Sequence, residues 1–307
     1  MTALQVPFVG LDFQNPIVLA SGTAAYGREL HDIVDLDRLG GLVTKAVSLA
    51  PRPGAKAPRV SDFPGGMINA IGLANPGVEV VRDTELPWLA ANLTHARVLV
   101  NVVGNAVEDF AEVIMRLSDP PGVAGYELNV SCPNVKAGGM EFGADRDVLH
   151  ALIARARAAT RKPLVIKLSP TLGDLAGTAQ VAVDAGADAI TLTNTLPGLV
   201  IDPATRRPRI GFGSGGVSGP PLLPVGVLAT WRVSRVVTVP IIGLGGVSRG
   251  EHALQYIMAG ATLVGVGTAG MVDPRAPERI VDELSRWCQR HGVPSLASLR
   301  GTLEWPT

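Results

Sequence analysis

The sequence predicts an α/β fold, a (β/α)8 barrel of the TIM type forming one domain over residues 1–307. Three observations carry that expectation. Short apolar runs recur eight times along the chain, most gaps between them show helical spacing, and each run ends in polar residues or bare glycine.

The eight runs are Ile17–Gly22, Gly41–Ser48, Arg97–Gly104, Gly125–Ser131, Pro163–Pro170, Ala189–Leu196, Pro240–Val247 and Leu263–Met271. They are rich in Val, Ile and Leu without a period of two, as expected of strands buried on both faces. Apolar residues at i, i+3 and i+4 predict helices over Val107–Leu117, Asp145–Thr160, Leu175–Ala185, Val225–Val236, Gly250–Met258 and Pro277–His291. Strand and helix alternation implies parallel pairing through right-handed crossovers, and eight such units in this length match a closed barrel. A doubly wound sheet is the competing architecture. It is set aside because its usual strand count is lower and no Gly-x-Gly-x-x-Gly is expected to open a helix. Two segments exceed the minimal barrel. Leu4–Asn15 suggests an N-terminal hairpin that plugs the lower end, and Pro197–Gly219 is a Gly/Pro/Arg-rich insertion after the sixth strand.

Composition narrows the function. Lys+Arg and Asp+Glu are both 27, so formal net charge is zero and no nucleic-acid footprint is expected. Aromatic content of 4% is too low for base-stacking platforms. No run approaches a membrane span and the N-terminus lacks a charged leader, so a cytoplasmic setting and no membrane contact are expected. The two cysteines, Cys132 and Cys288, share no repeated spacing, which argues against a disulfide scaffold and supplies too few thiolates for an iron–sulfur cluster. Cys288 sits in an amphipathic helix and is expected to pack in the core.

Barrel enzymes build their chemistry at the C-terminal ends of the strands. Those ends carry Ser21, Lys45, Asn101, Asn129 with Ser131 and Cys132, Lys167 with Ser169, Thr193 with Asn194 and Thr195, Gly245 with Gly246, and Gly267 with Thr268. Polar groups left unpaired in an interior cost about 1–3 kcal/mol each, so eight in register point to a ligand. Gly245-Gly246 and Gly267-Thr268 lack bulk where such barrels hold phosphate, and Ser218-Gly219 adds donors. Lys45 and Lys167 are two of only five lysines, and both lie inside apolar strands; a cation there faces an anionic ligand or an ion-pair partner. Asn101, Asn129 and Asn194 fit a heterocycle with imide-like edges. No carboxylate pair or ligand spacing marks a glycosidase or a metal site. Cys132, in a Pro/Gly-rich loop, is read as a titrating thiol serving as nucleophile, metal ligand or general base. Phosphate, a flat imide edge and a neighbouring lysine together match FMN, whose reduced ring is stabilised by a nearby cation.

The chain resembles the class 1B dihydroorotate dehydrogenases, specifically their catalytic FMN subunit. The resemblance rests on Asn15–Gly22, Met67–Gly77, Asn129–Gly139, Lys167–Pro170, Thr193–Leu196, Gly215–Pro220 and Ile241–Gly246. It implies oxidation of (S)-dihydroorotate to orotate in pyrimidine biosynthesis. It implies FMN contacts from Ser21, Lys45, Ala46, Asn101, Asn129, Lys167, Thr193, Gly219, Gly245, Gly246, Gly267 and Thr268. Substrate contacts are implied for Lys45, Asn69, Ala70, Ile71, Gly72, Leu73, Asn129, Asn194 and Thr195, with Cys132 as base. The loop from Pro133 to Gly143 is expected to act as a lid. A homodimer is expected, together with a partner subunit carrying FAD and a [2Fe–2S] cluster that passes electrons to NAD. The alternatives are a fumarate-using class 1A enzyme, a related flavin enzyme acting on uracil-like rings, and a non-catalytic barrel subunit.

Overall fold

The computed structural model describes residues 3–118, 120–131, 133–134 and 140–306. Their organisation follows from where the apolar residues fall. The chain starts with an antiparallel hairpin, β1 (Val6–Phe8) and β2 (Leu11–Phe13), turned at Val9-Gly10. Then come β3 (Ile17–Leu19) and β4 (Gly41–Val43), a second hairpin of β5 (Val60–Phe63) and β6 (Gly66–Asn69), β7 (Arg97–Val102) and β8 (Val123–Asn129). A small pair, β9 (Pro133–Asn134) and β10 (Met140–Glu141), precedes β11 (Leu164–Leu168) and β12 (Ala189–Leu192). The insertion contributes β13 (Leu196–Gly198), β14 (Ile201–Asp202), β15 (Arg207–Pro208) and β16 (Gly215–Ser218), before β17 (Ile241–Leu244) and β18 (Leu263–Val266).

Strands β3, β4, β7, β8, β11, β12, β17 and β18 close into one parallel barrel in that order, β18 pairing back to β3. All eight predicted runs supply a barrel strand. The eighth is shorter than expected: it ends at Val266, and Met271 lies in a following helix. That helix also corrects the motif argument. Gly265-Val-Gly-Thr-Ala-Gly270 has the Gly-x-Gly-x-x-Gly spacing and does lead from a strand into a helix, so closure of the sheet, and not absence of the motif, excludes the doubly wound fold.

The helices are α1 (Val78–Val80) and α2 (Leu86–Asn92), flanking a π-helical turn at Val81–Glu85, then α3 (Val107–Arg116), α4 (Arg146–Ala158), α5 (Leu175–Asp184), α6 (Leu223–Ser234), α7 (Gly250–Met258), α8 (Thr268–Val272) and α9 (Ala276–His291). The stretch Val78–Asn92 was not expected to be helical; its apolar face, including Val78, Val81, Leu86 and Leu89, is buried in the main core. Asp145 and Asp174 cap α4 and α5, their carboxylates accepting from Val148 N and Gly177 N. Cys288 is buried in the core as expected.

Two apolar layers result. The larger lies between the barrel and its helices. The smaller fills the barrel's lower interior with Val18, Val43, Leu99, Val165, Ala189, Ile242 and Leu263, sealed by Val6, Phe8 and Phe13 of the hairpin. Phe8 and Phe13 meet edge to face at 5.5 Å, and burying each contributes roughly 1.5–3 kcal/mol. Because side chains alternate along a strand, every inward apolar residue fixes the next inward position two residues on. Leu99 thus predicts an inward Asn101, Val165 an inward Lys167 and Ala189 an inward Thr191, while Lys45, expected inside a strand, and Thr193 follow just past the ends of β4 and β12.

Candidate active site

The inward polar residues line a cavity of about 500 Å³ at the C-terminal mouth, within the roughly 300–1,000 Å³ usual for small-molecule and cofactor sites. Its wall contains Ser21, Lys45, Ala46, Asn69, Ile71, Leu73, Asn101, Asn129, Lys167, Thr193, Asn194, Thr195, Gly219, Gly245, Gly246, Gly267 and Thr268. The structure therefore gathers residues from all eight strand ends, from the β5–β6 hairpin and from the insertion after β12. Cys132 and residues 135–139, the centre of the expected lid, lie outside the described residues.

Ala70 and Gly72, between Asn69, Ile71 and Leu73 in sequence, are not part of the cavity wall. Ala70 N instead donates to Arg59 O at 2.8 Å. Gly72 has φ of 67° and lies against Ala55, leaving no room for a Cβ. These two shape the segment while Asn69, Ile71 and Leu73 present side chains to the cavity.

The cover is a four-stranded antiparallel sheet in the order β13-β16-β6-β5. It joins the hairpin after β4 to the insertion after β12, with Asn69 opposite Gly216 and Asn69 Nδ2 donating to Gly216 O at 3.2 Å.

On the wall, Lys167 Nζ donates to Ser21 Oγ at 3.0 Å, and Lys167 is 5% exposed. Asn194 Nδ2 donates to Asn129 Oδ1 at 3.3 Å, linking the ends of β8 and β12. Thr195 N donates to Asn194 Oδ1 at 2.9 Å, which fixes that amide. Lys45 is held through its backbone, its N–H donating to Ala25 O at 2.8 Å.

A glycine cradle forms where β17 and β18 end. Gly245 and Gly246 have φ of 132° and 69°, conformations that side chains disfavour, and a Cβ on Gly246 would crowd Leu223. Thr268 Oγ1 donates to Ser218 Oγ at 2.8 Å, tying the cradle to the insertion. His252 and Tyr256, one turn apart on α7, support it from behind. Tyr256 Oη donates to Gly245 O, and His252 Nδ1 accepts from Ser248 N at 3.3 Å. Burial, with help from Arg249, lowers the His252 pKa from its ordinary value, and burial pushes the Tyr256 phenol up.

Several lining residues were not expected from sequence: Met67, Val60, Leu222, Ser248 and Arg279. Ser248 alone carried a signal, two positions beyond the glycine pair. Glu127 was also missed. It is an acid buried in the middle of β8, accepting from Asn101 Nδ2 and Thr191 Oγ1, each at 2.8 Å. Its signal was an acidic residue two positions before Asn129, hence on the same inward face.

A closed parallel barrel with a glycine cradle after its last two strands and an amide- and lysine-lined mouth defines a (β/α)8 protein with a small-molecule-sized cavity at its C-terminal face. The family model described as dihydroorotate dehydrogenase matches residues 3–287, and the chain belongs to that family. Among curated relatives it is 47% identical to the dihydroorotate dehydrogenase B (NAD(+)) catalytic subunit of Pelobacter propionicus, over 98% of each chain. It is 45% identical to a Solibacter usitatus protein provisionally named dihydroorotate dehydrogenase A (fumarate), over 98% of this chain and 99% of that one. Among solved structures, a crystal structure of DHODH with ferulenol from Eimeria tenella superposes with a TM-score of 0.83 at 24% identity, covering 98% of this chain and 88% of that chain. That likeness bears on the fold.

Proposed function

We propose that this chain is the catalytic subunit of an NAD-linked dihydroorotate dehydrogenase, oxidising (S)-dihydroorotate to orotate in pyrimidine biosynthesis. It does so as one cytoplasmic barrel domain with bound FMN. The observation that carries this reading is the single cavity in which Lys45, Asn69, Asn129, Asn194 and Thr195 share a wall with Lys167, Ser21 and the Gly245-Gly246 cradle.

The residues present fit FMN. Thr193 Oγ1 is buried with no hydrogen-bond partner among the described residues, and Thr193 lines the cavity. On a cavity wall, a buried hydroxyl left that way is available to a ligand atom, which supports the reading. The Gly245-Gly246 and Gly267-Thr268 backbones, with Ser218 and Ser248 nearby, would hold the phosphate. Lys167 and Lys45 would face the ring, with Asn101, Asn129 and Thr193 on its polar edges. FMN supplies the hydride acceptor that amino-acid side chains lack.

The protein's own groups then do the rest. Asn69, Asn129, Asn194 and Thr195 grip the pyrimidine's amide edges and fix which face is presented. Lys45 meets the carboxylate. Cys132, three residues beyond Asn129, takes the C5 proton as the C6 hydride leaves. A free thiol has a pKa of about 8.5, so a thiol base works better as pH rises. Onward transfer to NAD calls for a partner subunit with FAD and a [2Fe–2S] cluster, because this chain's two cysteines cannot ligate one. A homodimer of this subunit is part of the same reading. The Solibacter relative supports a second reading of the acceptor alone, fumarate in place of NAD.

The test is anaerobic bleaching of bound flavin by dihydroorotate in wild type and Cys132→Ala. Rapid bleaching in the first and a loss by orders of magnitude in the second is expected; equal rates would remove Cys132 from the chemistry. Reoxidation of the reduced protein by fumarate without a partner would favour the second acceptor.

A further inference from the structure

The buried carboxylate of Glu127 has no part in the chemistry above, yet it lies directly beneath the site. It is 1% exposed and points into the barrel. Its position on β8 is two residues below Asn129, about 7 Å along the strand on the same face. In the barrel register Glu127 is opposite Asn101 on β7 and Val165 on β11. Asn101 Nδ2 donates to Oε1 and Thr191 Oγ1 donates to Oε2, both at 2.8 Å. Asn101 is itself 1% exposed, and its backbone N–H donates to Thr44 Oγ1.

This arrangement settles which end of the Asn101 amide meets a ligand. A carboxylate only accepts hydrogen bonds, so it selects the NH2 end of its amide neighbour. The Asn101 carbonyl oxygen is then the end left for the cavity, where it accepts no hydrogen bond from the described residues. We infer that Glu127 is a positioning residue that sets the polarity of the ring site, holding Asn101 so that a carbonyl acceptor faces the N–H of the flavin's imide edge. The inference rests on the FMN reading above. It assigns the deep wall to the cofactor ring because Asn101 and Glu127 lie one strand step below the Asn129–Asn194 pair. Oxidised flavin carries a single ring N–H, between two carbonyls, so a wall presenting an acceptor between donors such as Lys167 recognises that edge. Without that anchor the amide loses its fixed orientation, and in the flipped one its NH2 would oppose the ring N–H and replace a hydrogen bond by a repulsion.

The test titrates apoprotein with FMN and with 3-methyl-FMN, which lacks the ring N–H, following flavin fluorescence. Wild type should prefer FMN by about tenfold or more, the worth of a hydrogen bond in a desolvated site. In Glu127→Met the amide is released, so FMN binding should weaken by about tenfold and the preference should fall to about twofold or less. The polarity swap is the sharper arm. Asn101→Asp alone sets two carboxylates face to face and should lose FMN. Adding Glu127→Gln returns a donor to the lower position, leaves an acceptor above, and should restore both affinity and preference for FMN. If Glu127→Met does not fold, the swap decides. Glu127→Met with unaltered preference, or a folded swap variant no better than Asn101→Asp, overturns the assignment. Wild type that binds neither flavin overturns the FMN reading and this inference with it; wild type that binds both equally overturns this inference alone.

Discussion

The hydroxyl of Tyr256 donates to the carbonyl oxygen of Gly245 at 2.8 Å, so a core tyrosine on α7 fixes the turn that forms the glycine cradle. Three glycines, on α6, on β17 and just past the end of β17, make room for it. A Cβ on Gly226 of α6 would collide with the hydroxyl, one on Gly243 of β17 would collide with the ring, and one on Gly245 would press the hydroxyl at 3.2 Å.

Tyr256→Phe removes that hydrogen bond and leaves the part-buried Gly245 carbonyl without this partner. The expected loss is about 1–3 kcal/mol, read as weaker FMN binding in fluorescence titration. Gly226→Ala should destabilise the fold more, because backbone must shift to admit the methyl. Wild-type affinity in Tyr256→Phe would show that the cradle keeps its shape unaided.

His252 makes the apoprotein acid-sensitive. Its folded pKa lies below its unfolded one, so the unfolded chain takes up the proton first as pH falls. Stability is complete above about pH 6.5, the ordinary histidine value, and declines as pH drops through the lower folded value. Thermal melts of apoprotein from pH 7.5 downward should show the decline, and His252→Gln should flatten it. Identical slopes in the two proteins would assign the acid response to another group.

Lys167→Ala removes the cation on the cavity wall together with its contact to Ser21. A hydrogen bond involving a charged group contributes about 1.5–3 kcal/mol, so FMN retention through gel filtration should drop by roughly an order of magnitude or more. An unaltered flavin spectrum and retention would place Lys167 outside the ring site.

Phe13→Ala opens the lower seal. Phe13 is fully buried against Phe8 and the inner apolar layer, and truncations of this kind cost about 3–5 kcal/mol. The denaturant midpoint should fall with the slope unchanged, since the same surface is exposed on unfolding. A loss under 1 kcal/mol, roughly the scale of a surface substitution, would mean the hairpin merely rests on the barrel.

Much of this was legible in the chain itself. The polar strand ends named Lys45, Asn101 and Lys167, but the runs carry no period of two, so their inward phase emerged only from the structure, where Val43, Leu99 and Val165 fill the inner layer. Counting two residues back from Asn129 to Glu127 was available but gives no partner, because Thr191 lies 64 residues away. The cover was harder. Gly66–Asn69 and Gly215–Ser218 are short and glycine-rich, so neither carries a strand signal alone, and pairing between them creates the sheet. Residues Val78–Asn92 escaped notice because the segment passes through a π turn and has Pro87 in its second half, which breaks the regular period. Tyr256 reads in sequence as ordinary core on an amphipathic helix; only its hydroxyl geometry shows a second task.

The roof over the cavity has two authors, hairpin β5–β6 and strands β13 and β16, joined edge to edge across nearly 150 residues of chain. Grafting one of them from a sister barrel to change substrate choice would leave its backbone amides without their mates. Re-engineering selectivity in this scaffold therefore means transplanting both stretches as one cassette, with the Asn69–Gly216 seam kept intact.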